Sequence, residues 1–116
     1  MSFWVSLNYS DEEVAIVESH SEGGTYVMGG TGEASLNVTY NYSKFYYKFL
    51  DEENGLRWLD GKLAKDTEDR LPSAVTSLGT ERDKDYWKGT DGNAGCALSV
   101  LLAWAREHPD AMWVVH

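Results

Sequence analysis

The alternation of apolar and polar positions predicts β-strands in the first third of the chain. Three short β-branched or aromatic runs, each bounded by Asn, Ser, Asp or Gly, lie at residues 3–7, 14–17 and 25–28. Residues 36–40 then alternate at a period of two, which predicts a half-buried strand. Between them, the glycine-rich residues 29–32 lack the Lys-Ser/Thr pair of a phosphate loop, so a hairpin connection is favoured.

A long helix is predicted at residues 91–107. Apolar side chains recur there at helical spacing, at Ala94, Ala97, Leu98, Leu101, Leu102 and Ala105. Charges lie only near the ends of this segment, with Asp91 at its start and Arg106 near its finish, and Pro109 prevents continuation. We expect this helix to be central and buried.

Shorter helices are predicted between the strands and the long helix. Ser43 can cap one helix, with Phe45, Tyr46 and Phe49 on one side, and residues 55–61 follow as an extended or turn segment. A further helix can start at Asp66 or Thr67; Pro72 either kinks it or opens a second one, which Gly79 ends.

These elements predict a single domain, residues 1–116, of the α+β class. An antiparallel sheet, formed by the N-terminal strands and a C-terminal strand at 112–115, is expected to pack on the buried helix 91–107 and the shorter helices. Fifteen of the 116 residues are aromatic, and a small core of this kind favours a homodimer or higher homo-oligomer.

The charge distribution limits the classes of partner. The chain has 19 acidic and 10 basic residues, a net charge of −9, and residues 1–43 contain six acids and no base. This repels phosphates at long range, so nucleic acid and anionic membranes are disfavoured as partners. The start of the chain lacks a basic region followed by an apolar run, which favours a cytoplasmic location.

The segment at residues 82–95 combines adjacent aromatics, three bases and a glycine-rich helix start. A ring can stack on a nucleobase, a base can neutralise a phosphate, and the free N–H groups of a helix start attract anions. The candidate ligand-binding residues are Arg82, Tyr86, Trp87, Lys88, Thr90 and Asn93. The competing interpretation is a scaffold, in which Thr90 or Asp91 caps the helix and Trp87 belongs to the core.

A second polar set alternates along residues 37–43. On a strand, Asn37, Thr39, Asn41 and Ser43 share one face, which is either a hydrogen-bonding wall for a ligand or the solvated side of the sheet. Asn41 and Tyr42 are therefore added to the candidate ligand-binding residues.

Catalytic and metal chemistry find little support in the sequence. Cys96, the single cysteine, lies inside the apolar helix and is expected to be an inert core thiol. His20, His108 and His116 are too scattered for a zinc site. We therefore expect no catalytic residue, no metal and no cofactor.

Several motifs, taken together, resemble a family of small uncharacterised proteins encoded by phages and prophages. They are TYNYS at 39–43, GLRWLDGK at 55–62, DYW with T-x-GNA at 85–94, and LLAWA with HPD at 101–110. The resemblance covers roughly residues 36 to 110. It implies a location in the host cell, where small acidic proteins counter host defence by sequestering a nucleotide signal or blocking a defence protein.

Three hypotheses for function follow. The first is a non-enzymatic module that binds a phosphate-containing small molecule and sequesters a nucleotide-derived defence signal. The alternative is an acidic inhibitor that binds a host defence protein, because the acidic first 43 residues can steer a basic partner. The third is a metal-dependent hydrolase that uses some of the acidic residues.

Overall fold

The computed structural model describes residues 2–9, 13–20 and 31–116, and it confirms the α+β class. The strands are β1 (Ser2–Asn8), β2 (Ile16–His20), β3 (Thr31–Glu33), β4 (Ser35–Thr39) and β5 (Met112–Val115). The α-helices are α1 (Ser43–Phe49), α2 (Arg70–Leu78) and α3 (Asp91–Glu107), with 3₁₀ turns at Tyr40–Tyr42, Gly55–Leu59 and Ala64–Thr67. The strand predicted at 25–28 and the glycines at 29–30 lie outside the described residues.

The main sheet is antiparallel and has the strand order β4-β1-β5, while β2 and β3 form a separate pair. Alternate residues of β1 point to one side, where Phe3, Val5 and Leu7 are buried in the core. The C-terminal strand therefore joins the N-terminal strands, as predicted, with Val5 opposite Val115.

The predicted central helix is confirmed, because α3 spans residues 91–107 and Leu98 and Leu101 are fully buried. No helix within the described residues has both the length and the apolar character needed to cross a membrane.

Two local expectations were wrong. The strand β4 ends at Thr39 and is buried on both faces, so Asn37 and Thr39 are not on a solvated side. Ser43 is the first residue of α1 rather than its cap, because the preceding 3₁₀ turn runs directly into the helix. For the segment that begins at Gly55, the turn alternative holds, because residues 55–59 form a 3₁₀ turn.

The chain that leaves α2 crosses closely over the start of α3. Gly79 ends α2 with φ of 78°, a conformation that favours glycine. A Cβ on Gly95 would overlap the carbonyl oxygen of Gly79, and one on Gly92 would overlap that of Glu81. The two helical glycines therefore permit a backbone contact that brings residues 79–90 against the first turn of α3.

Candidate ligand-binding site

The candidate loop at residues 82–90 is held by the side chain of Asn93, which is 2% exposed. The Asn93 Oδ1 accepts a hydrogen bond from the Asp83 N–H at 2.9 Å. Its Nδ2 donates to the carbonyl oxygens of Asp85 at 2.9 Å and of Lys88 at 3.0 Å. Both amide hydrogens are therefore used inside the protein, so Asn93 positions the loop instead of donating to a ligand, contrary to expectation.

The first turn of α3 is also closed by the chain itself. The Thr90 Oγ1 accepts from the Asn93 N–H at 3.1 Å, and the Asp91 Oδ1 accepts from the Gly92 N–H at 2.9 Å. Because these donors have partners and Glu81 lies over Gly92, they do not form an open anion site. Thr90 is an N-cap, as the scaffold interpretation expected.

The structure brings together the two segments that the sequence singled out. The Asn41 Nδ2 donates to the Trp87 carbonyl oxygen at 2.8 Å. The ring of Tyr86 makes edge contacts with Tyr42 and with Trp87, at centroid distances of 5.8 and 5.0 Å. The Tyr86 hydroxyl donates to the Asn37 carbonyl oxygen at 2.6 Å, so this half-buried ring fastens the loop to β4.

Two buried polar atoms, in residues that contact Tyr86, have no hydrogen-bond partner among the residues that the structure describes. They are the hydroxyl of Tyr42, whose residue is fully buried, and the Oδ1 of Asn37. Burial raises the pKa of the Tyr42 phenol, and the nearby Cys96 and Asp85 raise it further. Tyr42 is therefore a protonated donor in the interior, and its ring lies too deep to stack on a ligand.

The two candidate cations of this segment contact groups of the protein. The Arg82 Nε donates to the Cys96 Sγ at 2.9 Å, and the Lys88 Nζ lies 3.7 Å from the Asp83 Oδ2. Cys96 is half-buried, so the expectation of a core thiol was wrong, because this side of α3 faces the candidate loop instead of the sheet.

An open groove lies beside the start of α3, against α1. Its volume is about 330 Å³. The Lys44 Nζ lies 5.0 Å from the centroid of the Phe45 ring, and the Lys48 Nζ lies 5.2 Å from that of Phe49. We call it the lysine–phenylalanine groove, and its lining residues are Lys44, Phe45, Lys48, Phe49, Ser77 and Asp91.

The two lysines of this groove make no ion pair within the part of the chain that the structure describes. They are exposed and lie one helical turn apart. This groove was not predicted from the sequence, because the apolar residues of the α1 segment alone were used to define its faces. The signal is the repeated Lys-Phe pair at a spacing of four, at 44–45 and 48–49.

No family model matches the chain, and comparisons with curated proteins and with solved structures find no match. Within residues 2–9, 13–20 and 31–116, no group of three or more His, Cys, Asp or Glu side chains is placed to hold a metal ion. What the fold and the geometry define is a small α+β domain with a cationic, aromatic groove next to its central helix.

Proposed function

We propose that the protein is a non-enzymatic binding module that holds a phosphorylated, ring-bearing small molecule, such as a nucleotide, in the lysine–phenylalanine groove. The observation that carries this proposal is the pair of lysines, each beside a phenylalanine ring and neither in an ion pair with a residue that the structure describes. The ligand class is the one expected from the sequence, but the proposed site takes Asp91 alone from the 82–95 segment and includes none of the candidate ligand-binding residues named there.

The chemistry of the groove suits such a ligand. In a chain of net charge −9 a phosphate is repelled at long range, so nearby cations must supply the attraction. Side chains four apart on a helix are neighbours, so the ammonium groups of Lys44 and Lys48 can reach the same phosphate. The exposed ring of Phe49 offers a stacking surface, worth about 1 to 3 kcal/mol for a base.

The remaining lining groups favour a ligand with hydroxyl or amino donors. Asp91 contributes a carboxylate, which repels phosphate and accepts hydrogen bonds from a ribose or an exocyclic amine. The ligand is therefore oriented, with its anion at the lysines and its donors towards Asp91. The volume of the groove is near the lower end of the range of about 300 to 1,000 Å³ for small-molecule sites, which favours a mononucleotide.

Sequestration is the biological role that we propose for this binding. A protein that binds a nucleotide-derived signal without converting it lowers the concentration of free signal. This is one of the two roles in countering host defence that the resemblance to phage-encoded proteins implies.

Calorimetric titration against AMP, ADP-ribose, cyclic mononucleotides and cyclic dinucleotides tests the proposal. Lys44→Ala and Lys48→Ala should each weaken binding by about 1 to 3 kcal/mol, since each removes a charged hydrogen bond. Lys65→Ala is the matched control, because it changes the net charge equally but lies elsewhere, 3.4 Å from Asp110. The proposal is wrong if no ligand binds more tightly than about 1 mM, or if the control weakens binding as much.

The acidic inhibitor remains a second candidate because of one feature of β2. Ile16 is 66% exposed, and the exposed carboxylates of Glu18 and Glu33 lie near it, with Glu33 directly opposite Ile16. An apolar centre with acidic neighbours suits a basic protein surface. Replacing both glutamates by lysine should slow association with a captured host protein and lower its salt dependence; unchanged kinetics would remove this candidate.

A further inference from the structure

The face of the main sheet opposite Phe3, Val5 and Leu7 carries no Asp, Glu, Lys or Arg side chain. A quarter of all residues in the chain are of these four types. The alternation of side chains and the strand registers define ten positions on this face, which are Ser2, Trp4, Ser6, Asn8, Ser35, Asn37, Thr39, Met112, Val114 and His116. Two of them on β4, Asn37 and Thr39, are buried, so the open part of the face lies on the side of β1 and β5.

A cleft of about 570 Å³ opens at the β5 side of this face. Its apolar walls are Tyr9, Leu63, Met112 and Val114. The carboxylate of Asp110, which also lines the cleft, lies 3.4 Å from the ammonium group of Lys65.

An exposed tryptophan lies next to one of the residues that line the cleft. Trp4 is 44% exposed and exchanges backbone hydrogen bonds with His116, which also lines the cleft. The indole ring is therefore one strand away from the apolar walls, on the same face of the sheet.

We propose that this cleft, with Trp4 at its edge, binds an uncharged, ring-bearing small molecule. Apolar walls disfavour a charged ligand, because a charge that leaves water without a partner costs several kcal/mol. Flat rings suit the exposed faces of Trp4 and Tyr9, since aromatic contacts add to the gain from buried area. This ligand class differs from that of the lysine–phenylalanine groove, and the two sites do not share a residue.

The size of the face distinguishes a small ligand from a second copy of the chain. Three strands about 4.8 Å apart, with at most seven residues of about 3.3 Å each, span roughly 300 Å². A stable protein interface needs about 800 Å² from each partner. The face is therefore too small for a stable dimer, whereas the cleft has an ordinary volume for a small-molecule site.

Two fluorescent probes with similar rings test the charge requirement. N-phenyl-1-naphthylamine is uncharged, and 8-anilinonaphthalene-1-sulfonate adds a sulfonate to the same ring system. The neutral probe should bind saturably, with energy transfer from tryptophan, and the sulfonate should bind at least tenfold more weakly. Equal affinity for both probes, or no saturable binding of the neutral one, would overturn the proposal.

A matched pair of variants locates the binding. Met112→Lys should weaken binding of the neutral probe at least tenfold, because it puts a charge at the cleft, and Met112 is exposed enough for lysine to be tolerated. Ile16→Lys makes the same change of charge at an exposed apolar residue of the other sheet and should have no effect. A second variant, Trp4→Thr, removes the ring but keeps a strand-forming residue, and should weaken binding severalfold.

Equal effects of the two lysine variants, or no effect of Met112→Lys and Trp4→Thr, would show that the probe binds elsewhere. Sedimentation that finds a dimer dissociated by Met112→Lys would also overturn the proposal, because a second copy then covers the face. Lys44→Ala should leave probe binding unchanged. A negative result for the cleft can therefore be distinguished from a negative result for the nucleotide site proposed at the lysine–phenylalanine groove.

Discussion

Removing one hydroxyl group from each of two neighbouring tyrosines should have opposite effects on stability. Tyr42 and Tyr46 are both fully buried, and their rings are in edge contact at 6.3 Å. The Tyr46 hydroxyl donates to the Ala94 carbonyl oxygen at 3.0 Å, whereas the Tyr42 hydroxyl has no hydrogen-bond partner in the described part of the chain. The variants Tyr42→Phe and Tyr46→Phe therefore make the same chemical change at sites that differ in hydrogen bonding.

The magnitudes follow from this difference. Tyr46→Phe loses one hydrogen bond, and the Ala94 carbonyl keeps its bond within α3, so the cost should be about 0.5 to 1.5 kcal/mol. Tyr42→Phe removes a buried hydroxyl donor that gives up its hydrogen bonds to water on folding and forms none with the described residues in exchange. The substitution should therefore stabilise the protein by about 1 to 2 kcal/mol. The two variants should therefore differ by roughly 2 to 3 kcal/mol.

Equilibrium unfolding in urea measures this difference directly. With a slope of about 1 to 3 kcal/mol per molar for a small domain, the two midpoints should lie roughly 0.7 to 3 M apart. The slopes themselves should equal that of the parent protein, because neither variant changes the surface exposed on unfolding.

A loss of stability in Tyr42→Phe as large as that in Tyr46→Phe would refute the reasoning. It would mean that the Tyr42 hydroxyl has a hydrogen-bond partner in solution, such as a buried water shared with the Asn37 Oδ1. The interior beside Tyr86 would then be a hydrated polar site.

Three further outcomes are expected. Asn93→Ala should destabilise by about 2 to 4 kcal/mol in thermal unfolding, since it removes three hydrogen bonds made by a buried side chain. Asn41→Ala, which removes one exposed hydrogen bond to the same loop, should cost under about 1 kcal/mol. Gly95→Ala should destabilise by more than about 1 kcal/mol in urea, despite the better helix propensity of alanine, because its Cβ meets backbone that cannot yield. Burial raises the pKa of both Tyr42 and Tyr46, so the stability linked to their protonation is fully present below about pH 10 and falls as the pH rises further. The unfolding free energy should therefore be lower at pH 11 than at pH 8. Replacing both tyrosines by phenylalanine should make this difference between the two pH values smaller.

The helix α3 could be predicted to its end residues because every local signal agrees there. The apolar spacing, the Thr90 cap and the stop at Pro109 all depend on residues within or next to the helix. The burial of β4 could not be predicted in the same way. Asn37 is covered from a segment almost fifty residues away, where the Tyr86 hydroxyl reaches its carbonyl oxygen, and no period in the strand encodes that contact.

The candidate segment at residues 82–95 is visible in the sequence, and the structure does join it to Asn41 and Tyr42. Asn93 was predicted to be a ligand donor, because an asparagine at a helix start has the same local signature whether its amide meets a ligand or another part of the chain. The groove at α1 was predictable in principle, since the two Lys-Phe pairs are visible in the sequence. That neither lysine forms an ion pair with a described residue is a tertiary property, which the sequence does not reveal.

The way Asn93 holds its loop has a consequence for how this protein can change over generations. The side-chain amide forms its three hydrogen bonds with main-chain groups, namely one N–H and two carbonyl oxygens between residues 83 and 88. Main-chain atoms are the same whatever side chain they carry, so the anchor tolerates replacement of exposed residues such as Lys84. Substitutions can therefore accumulate on this loop while its backbone keeps the same conformation. New binding specificities can then arise on the loop without a change in the fold of the domain.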